Sequence, residues 1–371
     1  MEKEFLRLCE ENQLVGAVCL VVKDGVEDLK LTFGKRSIES NEPITLDTVF
    51  RIASISKVII ASGIMKLVEK GALDINTDIS QYLGFKLRNP YHRDIPITLK
   101  MMMTQTSSIT DGLDDYIPNY NMGYNGVNGK YFEASLEDLL LENGKYYIKE
   151  TFDKEIPGTK FIYSNFNCGI LACIIEKVTG KYYNDFIREQ ILLPLGLDAS
   201  FDIKDIKSKN IASLYEVDHS SLELTRDYDL FMKKRYEKYP LGNNFRGPAG
   251  GLLISPNDLK VFMEMLMNGG KPIFKKETIA LMLSKHWQGK ANVYSYYRAK
   301  GLQVVLLDQY DGKLLKGHFG DAYGVRSFML FNEERHIGII YMTNGGFYKR
   351  FESGIDNVEE EIIKLFLKKY W

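Results

Sequence analysis

The sequence lacks a surplus of charge of either sign, and it lacks a long apolar run. Its 48 lysines and arginines balance 49 aspartates and glutamates, which leaves a formal net charge of -1. Nucleic-acid-binding proteins draw affinity from a basic surplus that neutralises phosphates, so this balance argues against such a partner. Apolar runs such as residues 15–22 stop at about eight residues, whereas a membrane helix needs roughly 20. We expect no nucleic-acid partner and no membrane span.

Cysteines and targeting signals are also sparse. Residues 1–12 mix charged and apolar side chains at helical spacing and contain no apolar core or cleavage site of a secretory signal. The sequence as written therefore predicts a cytoplasmic protein, and an extracytoplasmic one if a signal segment was trimmed from it. Four cysteines are too few for a disulfide framework, and none forms a Cys-x-x-Cys pair, so we expect buried thiols. They are Cys9, Cys19, Cys168 and Cys173.

Two classes of hydrolase lack their sequence signatures here. The five histidines, at positions 92, 219, 286, 318 and 336, are scattered, and no His-x-His or His-Glu-x-x-His pattern occurs. A metal hydrolase needs such clustered ligands, so we expect no metal. An α/β-hydrolase needs a Gly-x-Ser-x-Gly elbow, which is absent as well. We also expect no organic cofactor.

The composition instead predicts a large folded chain with strands near both ends. Of the 371 residues, 45% are hydrophobic and 26% are charged, which supplies enough apolar material for an extensive core. At about 150 residues per domain, the length fits two or three domains, or one large enzyme with interleaved lobes. The expected strands are 17–22, 29–33, 302–307, 325–331 and 337–343.

Helical periodicity occupies the middle of the chain and its C-terminal end. Ser54 begins an apolar helix that Gly71 closes, and residues 352–369 form an amphipathic helix. Residues 113–131, with several Asn, Gly and Tyr, are expected to form an exposed loop. The other expected helices are 2–12, 97–104, 136–143, 167–179, 183–192 and 256–268.

These patterns predict an α/β (α+β) fold in which an antiparallel β-sheet flanked by helices adjoins a helix-rich lobe. Strands from both ends of the chain must join one sheet, so we treat residues 1–371 as a single unit. In this division, residues 1–74 and 290–371 form the sheet-containing lobe. Residues 75–289 form the helix-rich lobe.

Ser54 and Lys57 are the first candidates for chemistry. They lie three residues apart at the start of a helix, so the hydroxyl and the amine can project from one face. A serine needs a base to take its proton, and both burial and the helix dipole would disfavour the ammonium form of Lys57. The free N–H groups of the first turn would also favour an oxyanion there. Alone the pair is weak evidence, since a surface lysine after an N-capping serine has the same spacing.

Two later segments add polar side chains that suit the same chemistry. Tyr163 and Asn165 lie two apart in a short extended stretch, so the phenol and the amide face the same way. The phenol can assist a general base, and the amide can hold a substrate carbonyl or the lysine. His318 and Gly320 precede the strand at Val325, where glycine would let a substrate backbone approach an edge strand. A strand N–H there could complete an oxyanion hole.

At this point the chain resembles the serine β-lactamases and penicillin-binding DD-peptidases, in particular the class C β-lactamase and DD-carboxypeptidase branch with its esterase and D-aminopeptidase relatives. Several ordered motifs with matching flanks are far more specific than one motif alone. The similarity covers nearly the whole chain. It runs through Phe50 to Lys57, Pro157 to Thr159, Tyr163 to Asn165, Pro194 to Leu197, Pro248 to Leu252 and Gly317 to Gly320.

The resemblance implies a role for each matching residue. Ser54 would be the acylated nucleophile and Lys57 its proton acceptor. Tyr163 would be the general base that also helps to activate the deacylating water. Asn165 would orient the substrate amide. His318 would occupy the place where many β-lactamases have lysine.

The resemblance also implies an oxyanion hole, and the chain departs from the family pattern at three places. The backbone N–H groups of Ser54 and Asp321 would bind the oxyanion, with Gly320 between the motif histidine and Asp321. The family's frequent His-Thr-Ser-Gly appears here as Gln105 to Ser108, which we expect to alter packing rather than chemistry. His318 in place of lysine is closer to the peptidase and esterase members than to efficient β-lactamases. The carboxylate of Asp321, beside the oxyanion donor, could disfavour anionic substrates.

The sequence therefore predicts a serine hydrolase that acts through an acyl-enzyme on an amide, lactam or ester carbonyl, with peptidase-like or esterase-like activity favoured. Its substrate would be a small molecule or a short peptide. Segments 113–131 and 214–246 are expected to decide which one. Arg246 and Arg326 could receive a substrate carboxylate, although structural ion pairs are favoured. The alternative is a non-catalytic or slowly acylating penicillin-binding or sensor protein of the same fold.

Overall fold

The computed structural model describes residues 1–112, 121–128, 133–218, 221–226, 238–289, 296–351 and 354–371. Within these ranges the main sheet has eight strands, all paired antiparallel, in the order β2-β1-β12-β11-β10-β9-β8-β7. The α/β fold class predicted from the sequence, with an antiparallel sheet flanked by helices, is confirmed. The strands of this sheet are β1 Gly16–Lys23, β2 Val26–Gly34, β7 Trp287–Gln288, β8 Ala299–Lys300, β9 Val305–Tyr310, β10 Lys313–Ala322, β11 Val325–Asn332 and β12 Ile337–Thr343.

Strands from the two ends of the chain meet in the middle of the sheet. β1 pairs with β12 along its whole length, from Ala17 opposite Thr343 to Lys23 opposite Ile337. Seven of the eight β1 residues are buried, because both faces of this strand are covered. Two short pairs stand apart from the main sheet. They are β3 Phe50–Arg51 with β6 Leu253–Ile254, and β4 Leu214–Asp218 with β5 Ser221–Arg226.

The helices lie on both faces of the sheet and fill the middle of the chain. Helix α1 (Glu2–Glu11) and the C-terminal helix α11 (Asn357–Tyr370) cover one face. Helix α9 (Pro256–Met267) contacts β1, β11 and β12, and lies in the separate hydrophobic core. The remaining α-helices are α2 Ser56–Glu69, α3 Ser80–Leu83, α4 Leu99–Met103, α5 Gly123–Val127, α6 Leu136–Leu140, α7 Asn165–Thr179, α8 Tyr183–Ile187 and α10 Lys276–Leu283.

Two buried helices carry the residues that matter for the site. Helix α2 contacts both α7 and α8. Gly63 of α2 allows the close contact with α8, since a Cβ at this position would lie 2.3 Å from Ile187 Cδ1. Gly71 follows α2 with φ 73°, as the predicted helix stop requires. Ser164 caps α7, because its hydroxyl accepts a hydrogen bond from Asn167 N. The N-termini of both helices are thereby fixed within one rigid core.

Several local expectations need correction. Helix α10 was not predicted, and β10 was not recognised as a strand because Gly317 and Gly320 interrupt its alternation. In the region predicted as an exposed loop, Gly123–Val127 is a short helix with buried Tyr124 and Val127, while 113–120 and 129–131 lie outside the described residues. Parts of segment 214–246, namely 219–220 and 227–237, also lie outside them. The division into two lobes stays a prediction.

The described residues also bear on the membrane and the thiols. No helix among them is long and apolar enough to cross a membrane. All four cysteines are buried free thiols, as expected. Burial raises the pKa of the Cys9 and Cys19 thiols to about 12, so neither is a reactive thiolate at neutral pH.

Candidate active site

The turn that carries Ser54 has an unusual backbone. Ala53 adopts φ 46°, a left-handed conformation that costs energy for a residue with a Cβ. A 3₁₀ turn spans Ala53–Ile55, and helix α2 begins at Ser56, two residues later than the sequence predicted. Ser56 secures this turn, because its hydroxyl donates to Ala53 O at 2.6 Å and accepts from Leu252 N at 3.1 Å. Ser54 is therefore held in a strained turn directly before the helix.

Lys57 lies one turn after Ser54 and is completely buried. Its Nζ is 2.9 Å from Ser54 Oγ, 2.8 Å from Asn165 Oδ1 and 2.9 Å from the carbonyl oxygen of Ala249. Two of these partners, the amide oxygen and the carbonyl oxygen, can only accept hydrogen bonds. The amine is thus fixed in direction by Ser54 of the neighbouring turn and by two remote segments of the chain.

Tyr163 is the second side chain that contacts the hydroxyl of Ser54. Its hydroxyl donates to Ser54 Oγ at 2.8 Å, and its ring centroid lies 4.8 Å from Lys57 Nζ. The Tyr163 ring is partly buried, and its centroid lies 5.5 Å from that of the Tyr297 ring. The serine oxygen consequently lies within hydrogen-bond reach of both an amine and a phenol.

Asn165 is held at both ends of its amide by the protein. The oxygen accepts from Lys57, and Nδ2 donates to Asp111 Oδ2 at 2.8 Å. Asp111 also accepts from Ser164 Oγ at 2.9 Å and from Phe166 N at 2.8 Å. Because a carboxylate can only accept, Asp111 fixes which way round the Asn165 amide stands. Sequence reasoning missed Asp111, which matches no motif on its own.

The side chain of Gln105 holds the backbone of Ser164, between Tyr163 and Asn165. Its side chain bonds the backbone of Ser164 on both sides, with Nε2 donating to Ser164 O and Oε1 accepting from Ser164 N, each at 3.1 Å. Asn167 Nδ2 adds a third bond to Gln105 Oε1 at 2.9 Å. Gln105 therefore positions the segment between Tyr163 and Asn165 without touching Ser54.

Strand β10 lies against the nucleophile turn at Gly320. A Cβ on Gly320 would be 2.4 Å from Ile52 O and 3.3 Å from Ala53 Cβ, so only glycine allows this approach. Ser327 on β11 ties the same carbonyl, since its hydroxyl donates to Ile52 O at 3.2 Å. Pairing with β9 ends at Gly317, and among the described strands residues 318–322 pair only with β11. The free edge of β10 thus faces the site.

His318 is fully buried behind the site rather than on its surface. Its Nδ1 donates to the carbonyl oxygen of Phe319 at 2.6 Å, and its ring centroid lies 6.5 Å from that of Tyr163. Burial, followed by the charges of Lys300 and Lys57, holds the pKa of His318 well below its usual range. The His318 ring is therefore neutral at pH 7, and it packs near the ring of Tyr163.

A cleft of about 340 Å³ opens in front of Ser54. Five of the predicted site residues line it, namely Ser54, Tyr163, Asn165, Gly320 and Asp321. The remainder of the wall is aromatic on one side and charged on the other. It consists of Tyr296, Tyr297, Phe319, Arg326, Arg350, Gly354, Asp356 and Glu359.

Comparisons with known proteins show the family to which the chain belongs. The family model described as Beta-lactamase matches residues 2–361. The chain belongs to the beta-lactamase family. It is 26% identical to "Protein flp" of Staphylococcus aureus over 341 residues, which is 90% of this chain and 60% of that protein. The chain thus spans about 60% of the length of the curated relatives it matches.

Solved structures of the same fold cover almost all of this beta-lactamase-family chain. An octameric penicillin-binding protein homologue from Pyrococcus abyssi superposes with a TM-score of 0.75 at 24% identity, covering 99% of this chain and 77% of that one. A D-amino acid amidase from Ochrobactrum anthropi SV3 superposes with a TM-score of 0.70 at 22% identity, covering 99% and 95%. These superpositions show that the chain shares the fold of the two proteins.

The charged side of the cleft differs from the expectation for Asp321. The carboxylate of Asp321 pairs with both Arg326 and Arg350, so it does not present an isolated negative charge. Arg326 Nε also lies 3.4 Å from Oδ2 of Asp356, the residue that caps helix α11. Arg326 therefore forms structural ion pairs, as the sequence favoured. Arg246 instead donates a hydrogen bond from Nε to Val127 O at 3.0 Å.

Proposed function

We propose that this protein is an acyl-transfer serine hydrolase that cleaves an amide, lactam or ester carbonyl, with peptidase-like or esterase-like activity favoured. Ser54 is the nucleophile, and the acyl-enzyme is released by water. The observation that carries the proposal is the position of Ser54 Oγ, 2.9 Å from Lys57 Nζ and 2.8 Å from Tyr163 Oη. These are the distances at which a general base can take the serine proton.

The partners of Lys57 support its role as the proton acceptor. A neutral amine has two N–H donors and one lone pair. Asn165 Oδ1 and Ala249 O can only accept, so they take the two donors. In the uncharged form of the amine, the lone pair would point to Ser54 Oγ, which is the direction needed to receive its proton. Asp111 contributes by fixing the amide of Asn165 so that its oxygen faces the amine.

Tyr163 is suited to the proton transfers that follow. Its hydroxyl bonds the same serine oxygen and also lines the cleft, where a leaving group and then a water can reach it. We assign it the protonation of the leaving group and the activation of the deacylating water. The amine and the phenol thus divide the work of one general base.

The oxyanion hole is assigned to the backbone N–H groups of Ser54 and Asp321. The close packing of Gly320 on Ile52 brings the edge of β10 to the nucleophile turn, which supports this assignment. Two fixed N–H donors stabilise a developing oxyanion without reorganisation. The free edge at residues 318–322 can also accept an extended substrate backbone.

The walls of the cleft favour a small substrate with an apolar or aromatic group. Tyr296, Tyr297 and Phe319 form an aromatic surface beside Ser54, suited to an apolar acyl group. A cleft of about 340 Å³ accommodates a small molecule or a short peptide. Because one neighbour of the same fold is a D-amino acid amidase, an aromatic D-amino acid amide is a first substrate to test.

A fluorophosphonate probe and a substrate screen test the proposal together. The wild-type protein should be labelled on one serine, and Ser54→Ala should remove the labelling while its circular dichroism stays unchanged. Chromogenic esters, nitrocefin, a peptidyl-D-alanine and D-phenylalanine amide should then reveal turnover. The competing proposal is a penicillin-binding or sensor protein, and it is favoured by stable labelling without turnover. Ser107→Ala is a matched control, because Ser107 is a buried serine that bonds Asn167 and not Ser54.

A further inference from the structure

Lys300 is a buried lysine that the mechanism above does not use. It ends strand β8 and is 0% exposed. Its Nζ lies over two aromatic rings, 5.2 Å from the centroid of Tyr297 and 5.9 Å from that of Phe161. Among the described residues its Nζ has no hydrogen-bond partner. A fully buried lysine is rare and costly unless it is paired, so its presence here requires an explanation.

His318 has a buried acceptor atom that lacks a donor among the described residues. Because its Nδ1 donates to Phe319 O, the neutral ring keeps a lone pair on Nε2. That nitrogen is buried and has no partner in the described part of the chain. Both residues lie near the ring of Tyr297, whose centroid is 5.2 Å from Lys300 Nζ and 6.4 Å from the centroid of His318. Lys300 is thus a donor without an acceptor, and His318 an acceptor without a donor.

Both groups lie in the layer that supports Tyr163. Tyr297 connects them, with its ring centroid 5.5 Å from that of Tyr163 and 6.4 Å from that of His318. Among the described residues, the titratable groups that face this layer include His318 from β10, Tyr163, Tyr296 and Tyr297 from loops, and Lys57 from helix α2. Burial, and then the charge of Lys57 when that amine carries a proton, lower the pKa of Lys300 to about 7. The charge of Lys57 acts on His318 as well.

We propose that Lys300 is a positioning residue whose uncharged amine reaches His318 through one bridging water, and whose protonation slows acylation of Ser54. This rests on the proposed function of Ser54 and Lys57. When Lys57 takes the serine proton it becomes a cation. A second cation at Lys300, separated by buried aromatic rings, repels that charge and raises the barrier. A neutral Lys300 leaves Lys57 free to accept the proton.

The pH profile of Ser54 labelling tests this proposal. The second-order rate of fluorophosphonate labelling is measured from pH 5.5 to 9 in the wild type and in Lys300→Met. The wild-type rate should fall below about pH 7, and at pH 6 Lys300→Met should react about tenfold faster than the wild type. Above pH 8 the two rates should converge. Lys285→Met is the matched control, because Lys285 is an exposed lysine just before the neighbouring strand β7, and it should keep the wild-type profile.

A second variant separates charge from packing. Lys300→Gln cannot titrate but can still donate to the bridging water, so it should lose the same acidic limb. If the normalised profiles of the wild type, Lys300→Met and Lys300→Gln coincide, Lys300 has only a structural role and the proposal is wrong. If the wild type is not labelled at Ser54 at any pH, the proposed function fails as well, so the two failures can be told apart.

Discussion

The replacement Lys300→Met should make the protein more stable at neutral pH, although it removes a polar group from the active-site region. Methionine has nearly the same length and shape as lysine but carries no charge. Lys300 is completely buried and lacks a hydrogen-bond partner among the described residues, so its charged form is not compensated. The substitution removes this cost.

The magnitude follows from the difference in pKa between the folded and unfolded states. Burial lowers the pKa of Lys300 from 10.5 to about 7. At about 1.4 kcal/mol per pH unit, this corresponds to roughly 3 to 5 kcal/mol. Between pH 7 and 10.5 the unfolded chain binds more protons at this lysine than the folded protein does, so wild-type stability gains from this residue as pH rises. Below pH 7 the full cost remains.

Urea unfolding at several pH values measures this effect. The free energy of unfolding of Lys300→Met should exceed that of the wild type by roughly 3 to 5 kcal/mol at pH 7, and the gap should close as the pH approaches 10. Lys285→Met should show neither effect. A gap that does not change between pH 7 and 10, or a variant less stable than the wild type at pH 7, would refute the reasoning.

Three further substitutions test separate parts of the site. Tyr163→Phe should lower kcat by about 10²- to 10⁴-fold with an unchanged far-ultraviolet spectrum, because the phenol transfers protons; an unchanged kcat would remove Tyr163 from the mechanism. Gly320→Ala should lower the free energy of unfolding by about 1 to 3 kcal/mol and reduce labelling of Ser54, since its Cβ would meet Ile52 O at 2.4 Å. Asp111→Asn should lower kcat more than it changes KM, and pairing it with Asn165→Asp should recover part of the loss by restoring a donor and an acceptor; no recovery would count against the proposed positioning role.

The parts of the site that the sequence predicts are those with local spacing. Ser54 and Lys57 lie one helical turn apart, and Tyr163 and Asn165 lie two apart in an extended stretch, so one rule of geometry pairs each set. The structure brings the two pairs together through Lys57 Nζ and Asn165 Oδ1 at 2.8 Å. The fold class could be predicted because β1 and β12 are apolar runs of ordinary strand length.

The residues that were missed depend on tertiary neighbours. Asp111 and Lys300 are single charged residues without a period or motif, and only the fold shows that one holds Asn165 and the other is enclosed by aromatic rings. Ala249 contributes a carbonyl oxygen, which no side-chain pattern can indicate. The sequence also predicted His318 among the substrate-binding residues, whereas the structure places it behind Tyr163. Whether His318 lines the cleft or lies buried near Tyr163 is decided by its burial in the fold, which the residue type does not reveal.

Trapping the acyl-enzyme tests the central claim most directly. Rapid mixing with a p-nitrophenyl ester should release a burst of nitrophenol equal to the concentration of active protein, and mass spectrometry of the quenched sample should show one acyl group on the peptide that contains Ser54. Hydrolysis that proceeds at the wild-type rate in Ser54→Ala, or an acyl group found on another residue, would contradict the account.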